Sequence, residues 1–138
     1  MVKYLKLLPL LAFVMLASCK LEPRQTYYTN VAITIDQRSV PRAVLSGESF
    51  NIYAHATLNN GCWSNIRFFF DTIDLQNFQL YALADYKDEG FCPEALVTED
   101  TVINLTAAEV PGDYIIRIWM NAYEYELDTV TVAEVIKQ

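Results

Sequence analysis

Between Ser49 and Leu58 the polarity of the chain changes at every step. Phe50, Ile52, Ala54 and Ala56 fall on one side of an extended backbone, and Asn51, Tyr53, His55 and Thr57 on the other. Period two means a half-buried β-strand, because successive side chains of an extended chain point to opposite faces. A helix would need its apolar positions three or four residues apart. Asn59-Asn60-Gly61 reads as a turn, since asparagine and glycine accept the positive φ of a tight reversal, and the chain returns through Trp63 to Asp71.

The same reading extends from Asn30 to the end. Val31 to Asp36 is a strand, and Arg38 to Val44 is an edge segment broken by Pro41, which cannot donate to a ladder. Phe78 to Tyr86, Pro93 to Thr106, Tyr114 to Met120 and Tyr125 to Val135 follow, separated by Lys87–Gly90, Pro111–Asp113 and Asn121–Glu124. Seven or eight short strands with no long helical pattern predict an all-β fold, an antiparallel β-sandwich. The 138 residues suit one domain, placed at residues 30–138. With 53% hydrophobic residues and only 4 glycines, a disordered or collagen-like chain is excluded.

The N-terminus is of a different kind. Lys3 and Lys6 precede an apolar run from Leu7 to Leu16 and the small residues Ala17 and Ser18, the three-part pattern of a secretory signal over residues 1–18. The run is too short for a membrane span, which needs roughly 20 residues. Leu16-Ala17-Ser18-Cys19 resembles the lipobox of bacterial lipoproteins. That resemblance implies export, lipid on Cys19 as the first mature residue, and attachment to the cell envelope, with the outer membrane favoured and the leaflet open. Residues 19–29 are then a lipidated N-terminus and tether. Without Lys3 and Lys6, 8 cations face 17 acids, a net charge of about −9. So acidic a chain is a poor nucleic-acid partner.

Cys62 and Cys92 are an even pair in an exported chain, which permits a disulfide or two buried thiols. With one histidine and no Cys-x-x-Cys spacing, a metal site finds no support, and no cofactor motif is present. If the strands near 50, 63 and 78 form a meander, the turns at 59–61 and 87–92 lie at one end. A Cys62–Cys92 disulfide would then pin two loops.

Val110-Pro-Gly-Asp-Tyr-Ile-Ile-Arg-Ile118, followed by a last strand, resembles the closing hairpin of immunoglobulin-like domains, in which a tyrosine hydroxyl ties the preceding corner. The whole chain resembles the small lipoproteins of Bacteroidota that carry one such domain. This implies an immunoglobulin-like sandwich. Neither cysteine lies in the second or penultimate strand, so an inter-sheet core disulfide is not implied.

Catalytic signatures are missing: there is no Gly-x-Ser-x-Gly, phosphate loop, His-Glu-x-x-His or calcium loop. His55 stands alone at mid-strand and reads as a structural side chain. Glu124, Glu126 and Asp128 share a strand face, as a solvated outer face or a cation site. No catalytic residue is expected, and the protein reads as a binder and not an enzyme.

Binding chemistry rests on aromatics. Trp63, Asn65, Arg67 and Phe69 alternate along one strand, and Ile115, Arg117, Trp119 and Asn121 along another. Immunoglobulin-like domains commonly set these strands side by side, which would bring Trp63 to Trp119 and Arg67 to Arg117, with Tyr53 and His55 on a neighbouring strand and the loop aromatics Phe91 and Tyr123 extending the patch at the cysteine-bearing end. Such a surface suits a glycan or an envelope protein. If the faces are reversed, the tryptophans are core; the opposite register, Ile66, Phe68 and Phe70 with Ile116, Ile118 and Met120, is the more natural core. An accessory subunit of an envelope complex, docked through a sheet edge or an acidic face, is the alternative, with a small hydrolase a distant third. Asp71-Thr72-Ile73, Asp100-Thr101-Val102 and Asp128-Thr129-Val130 resemble O-glycosylation acceptors of Bacteroidota, implying modification at Thr72, Thr101 and Thr129 if exposed.

Overall fold

Alternating polarity becomes nine strands in the computed structural model, which describes residues 24–134. They are β1 (Thr26–Ile33), β2 (Gln37–Ser39), β3 (Ala43–Leu45), β4 (Ser49–Leu58), β5 (Trp63–Thr72), β6 (Asn77–Asp88), β7 (Val97–Thr106), β8 (Gly112–Trp119) and β9 (Tyr125–Ala133). The signal segment 1–18 and Cys19 lie outside the described residues.

Two sheets form a sandwich-like arrangement. The smaller runs β2-β4-β7, all antiparallel. The larger has six strands and is organised around β6. One edge of β6 carries β5 along almost its whole length. The other edge is shared: β8 lies parallel to Asn77–Leu80, and β1 lies antiparallel to Ala82–Asp88. From β8 the sheet continues to β9 and then to β3, which pairs with β9 in parallel.

Between the sheets lies one apolar core. β4 contributes Ile52, Ala54 and Ala56; β6 contributes Leu80, Ala82 and Ala84; Ile116, Ile118, Val130 and Val132 come from the closing hairpin. Ile66, Phe68, Phe70 and Met120 pack against it, the register that the alternation favours as core. Tyr114, buried at the start of β8, donates its hydroxyl to the Val110 carbonyl at 3.0 Å. That bond satisfies the buried hydroxyl and ties the β7–β8 corner.

Several expectations change here. Nine strands replace seven or eight, because residues 38–44 split at Pro41 into β2 and β3, and the first strand begins earlier, inside the expected tether. Thr26, Tyr27 and Tyr28 pair with Asp88, Lys87 and Tyr86, so no tether extends to residue 29. The sheets are not purely antiparallel, since β3/β9 and β6/β8 are parallel. Residues 50, 63 and 78 do not make a meander: β4 belongs to the small sheet and β5 to the large one. Nor do Asn59, Asn60 or Gly61 use positive φ. Gly61 is needed for close approach instead, because a Cβ there would stand 3.2 Å from the Pro93 side chain.

Cys62 and Cys92 form a disulfide all the same, with Cα atoms 5.0 Å apart. The β4–β5 connection crosses between sheets, and its turn still reaches the end at which β6 finishes. Gly61 N–H donates to the Pro93 carbonyl at 2.8 Å, and Lys87 N–H to the Cys62 carbonyl at 2.9 Å. The disulfide joins loops that are already hydrogen-bonded.

Candidate functional site

Two β-bulges decide which side chains reach the open face of the large sheet. Pairing of β5 with β6 slips between Ser64 and Arg67, and pairing of β1 with β6 slips between Tyr28 and Val31. Each slip holds an asparagine at positive φ, Asn65 at 56° and Asn30 at 55°. Asparagine tolerates this left-handed conformation better than most residues. Asp85 lies between the bulges and serves both. It accepts Asn30 N–H at 2.9 Å and the Asn65 amide at 2.8 Å. Arg67 completes the network, donating to Asn30 at 2.9 Å and to Asp85 at 3.1 Å. The bond from Asn30 N–H, then that from Asn65, outweigh burial and hold the Asp85 carboxyl below the usual carboxylate range.

The extra residue reverses the alternation of β5. Trp63 therefore faces inward, packed against the core and edge-on to Tyr86 at 4.9 Å, while Arg67 and Phe69 face outward. Trp119 takes the opposite side, with Arg117, because β8 keeps strict alternation over buried Ile116 and Ile118. The expected approach of Trp63 to Trp119 and of Arg67 to Arg117 does not occur. β6 stands between β5 and β8, and Arg67 is committed to the bulge network.

What the outer face does assemble is a row of rings across four strands. Phe69 of β5 stacks on Tyr81 of β6, centroids 5.1 Å apart. Trp119 of β8 meets Tyr125 of β9 edge-on at 5.1 Å, and the Arg117 guanidinium lies 5.7 Å from the centre of the Tyr125 ring. Polar groups sit between the rings. Trp119 Nε1–H donates to Gln79 Oε1 at 3.3 Å, and Gln79 Nε2 reaches Asp71 at 3.4 Å. This chain orients the indole. Burial, reinforced by a hydrogen bond to Asp71, raises the Tyr81 phenol above its ordinary range and keeps it a neutral donor.

A shallow groove of about 260 Å³ runs beside Trp119, lined by Ala32, Gln79, Tyr81, Asn121 and Ala122. It is smaller than the enclosed sites of small molecules, which begin near 300 Å³, and suits one residue of a longer chain. Tyr123, 91% exposed, stands in the β8–β9 turn beyond Trp119. Sequence reasoning found Trp119, Arg117 and Phe69 but missed Tyr81, Gln79 and Tyr125. The signal for the first two was present in the alternation of β6, where both share the face opposite Leu80 and Ala82.

The remaining candidates are spoken for. A concavity of about 780 Å³ between β2 and β9 is larger, but its acids and Arg38 are engaged with one another or with His55. Arg38 bonds Glu126 at 2.6 Å and Asp128 at 2.8 Å, so these two acids clamp the smaller sheet and are not a free cation site, while Glu126 stays exposed to solvent. Glu124 accepts from the Asn121 amide at 3.0 Å within its turn. His55 Nδ1 lies 2.8 Å from Asp36. Thr72 and Thr129 are exposed and Thr101 is half-buried on the core-facing register of β7, so a transferase could reach the first two. Cys62, Cys92 and Asp88 cluster, but the disulfide leaves no thiolate to ligate a metal.

These features define a class: an all-β, sandwich-like protein with a half-open aromatic face on its larger sheet. The chain matches no protein-family model, no curated protein and no solved structure.

Proposed function

We propose that the protein is a non-catalytic binding module of the bacterial cell envelope that holds a glycan chain against the outer face of its larger sheet. In this reading residues 1–18 are a removable signal and Cys19 carries the lipid that attaches the module, with the outer membrane favoured. The domain is read as immunoglobulin-like. That assignment is supported by the antiparallel pairs β4/β7 and β8/β9, the parallel β3/β9 pair, and the bond from Tyr114 to Val110. It departs from the pattern where β6, and not β5, lies beside β8.

One observation carries the binding reading. Trp119, Tyr81, Phe69 and Tyr125 lie on one face, partly open to solvent, with Gln79, Arg117 and Asp71 between them. Rings stack on the apolar faces of sugars, and amide, guanidinium and carboxylate groups bond their hydroxyls. A panel of envelope polysaccharides tests it. Trp119→Ala and Tyr81→Ala are expected to weaken binding at least about tenfold, or about 1.4 kcal/mol, in folded protein. Binding no glycan, or keeping full affinity in both variants, overturns the reading.

The second reading is a subunit docked through a sheet edge, and β7 favours it. Val97–Thr106 pairs with β4 alone and presents ten residues of open edge. Exposed Glu99 and Asp100 discourage pairing between copies, so the partner would be another protein.

A further inference from the structure

We propose that the disulfide-pinned end of the sandwich rests on the lipid surface to which the chain is anchored. The inference depends on the reading of Cys19 as the lipid-bearing residue, and it adds an interface that this reading does not contain.

Chain geometry brings the end and the anchor together. β1 enters antiparallel to the last residues of β6, Thr26 opposite Asp88 and Tyr27 opposite Lys87. The chain therefore enters where β6 finishes, beside the 59–62 turn and the 89–96 loop that Cys62–Cys92 joins. Six residues, and so seven Cα–Cα steps, separate Cys19 from Thr26. Fully extended, they span at most about 25 Å, so this end cannot move far from the headgroups.

The side chains presented there suit a lipid boundary. Phe91 is 79% exposed, Leu96 71%, Tyr27 62% and Tyr28 58%. Tyrosine fits the interface because its ring is apolar and its hydroxyl stays wet. Phe91 adjoins Cys92, so the disulfide presents the ring from a pinned loop. The opposite end also exposes apolar groups, Ile73, Leu75 and Val110, but they are aliphatic and lie far from the chain's entry. Charge selects the lipid: Lys87 is paired with Glu89, the exposed acid Glu94 offsets the exposed cation Arg24 in number, and Asp88 adds a further acid, so no net attraction to anionic headgroups remains. A zwitterionic surface is the expected partner.

The test uses the lipidated chain in phosphatidylethanolamine and phosphatidylcholine vesicles. Flotation comes first: the unsubstituted chain should rise with the vesicles and Cys19→Ser should not. If the unsubstituted chain stays behind, or Cys19→Ser floats equally, the anchor reading fails and this inference with it. If flotation behaves as expected, amide exchange decides the contact. Residues 89–96 should exchange at least about threefold more slowly in the anchored chain than in soluble Cys19→Ser. A tryptophan probe adds position, with Phe91→Trp compared with Leu75→Trp in a Trp63→Phe, Trp119→Phe background. Brominated lipids should quench the first and spare the second. Equal exchange in a floating protein overturns the contact while leaving the anchor intact.

Discussion

At the scale of residues, two tryptophans at the rims of strands end on opposite sides of one sheet, and the cause is a single inserted residue. The bulge at Asn65 turns Trp63 onto the core, whereas unbroken alternation leaves Trp119 outside. Their alanine variants should therefore separate. Trp63→Ala is expected to cost about 2 kcal/mol, below the usual range for a buried aromatic because the ring is half-buried. Trp119→Ala should cost under about 1 kcal/mol while losing ligand; urea melts of both, with the glycan titration, check the split. Asp85 supports the bulge that makes this difference. Its carboxyl sits below the ordinary range, so its stabilisation is present above about pH 4 and is lost as pH falls through the folded value. Asp85→Ala should lower the Tm by several degrees at pH 7 and show a shallower acid-side decline between pH 5 and 2 than the parent. Equal slopes would mean that other carboxylates govern acid unfolding. No local signal marks Asn65 as a bulge, since its left-handed backbone depends on an acceptor twenty residues away. The inward turn of Trp63 was therefore not legible in the sequence.

Elements were far more legible than the contacts between them. Strand positions from β4 to β9 follow the alternation closely, because burial of one face acts on each residue through its immediate neighbours. The exceptions are informative. Pro93 does not begin β7, which starts at Val97, because the intervening residues close the disulfide loop and their backbone bonds the 59–62 turn. The Cys62–Cys92 pairing was legible although the meander used to argue for it is absent: only the shared end mattered. With the cysteines 30 apart, cross-linking should stabilise by about 3 to 4 kcal/mol on chain entropy. The expected loss in Cys62→Ser/Cys92→Ser is smaller, nearer 2 kcal/mol, because hydrogen bonds already hold the same loops together. Denaturant melts of oxidised and double-variant protein measure it. The double variant should also exchange its 89–96 amides faster, while the outer face and its ligand affinity stay unchanged.

For the whole molecule, the order of strands decides which side chains share the outer face, and nothing local encodes it. Alternation says which residues share a face but not which strand lies next to which, so placing β5 beside β8 predicted a site that the actual neighbour, β6, replaces. The substitution improves the face. It exchanges a second tryptophan and a committed arginine for Tyr81 and Gln79, which bridge Phe69 to Trp119. A second global property was legible throughout, the net charge of about −9 after residue 18. Two opposing effects follow from it. Self-repulsion among unpaired acids destabilises the compact state, while ion pairs such as Arg38 with Glu126 and Asp128 hold it together. Exposed or half-exposed pairs contribute about 0 to 1 kcal/mol each, and few exist among the described residues, so repulsion should dominate. Salt screens both, shortening the Debye length from about 30 Å at 0.01 M to about 10 Å at 0.1 M, and long-range repulsion is weakened more than contacts within 3 Å. The Tm should therefore rise by a few degrees between 10 and 300 mM sodium chloride at pH 7. Arg38→Ala, which removes a cation between two acids, should be less stable at low salt and gain more from added salt. A Tm that falls with salt in the parent would mean that the ion pairs, and the Arg38 clamp first among them, outweigh the repulsion.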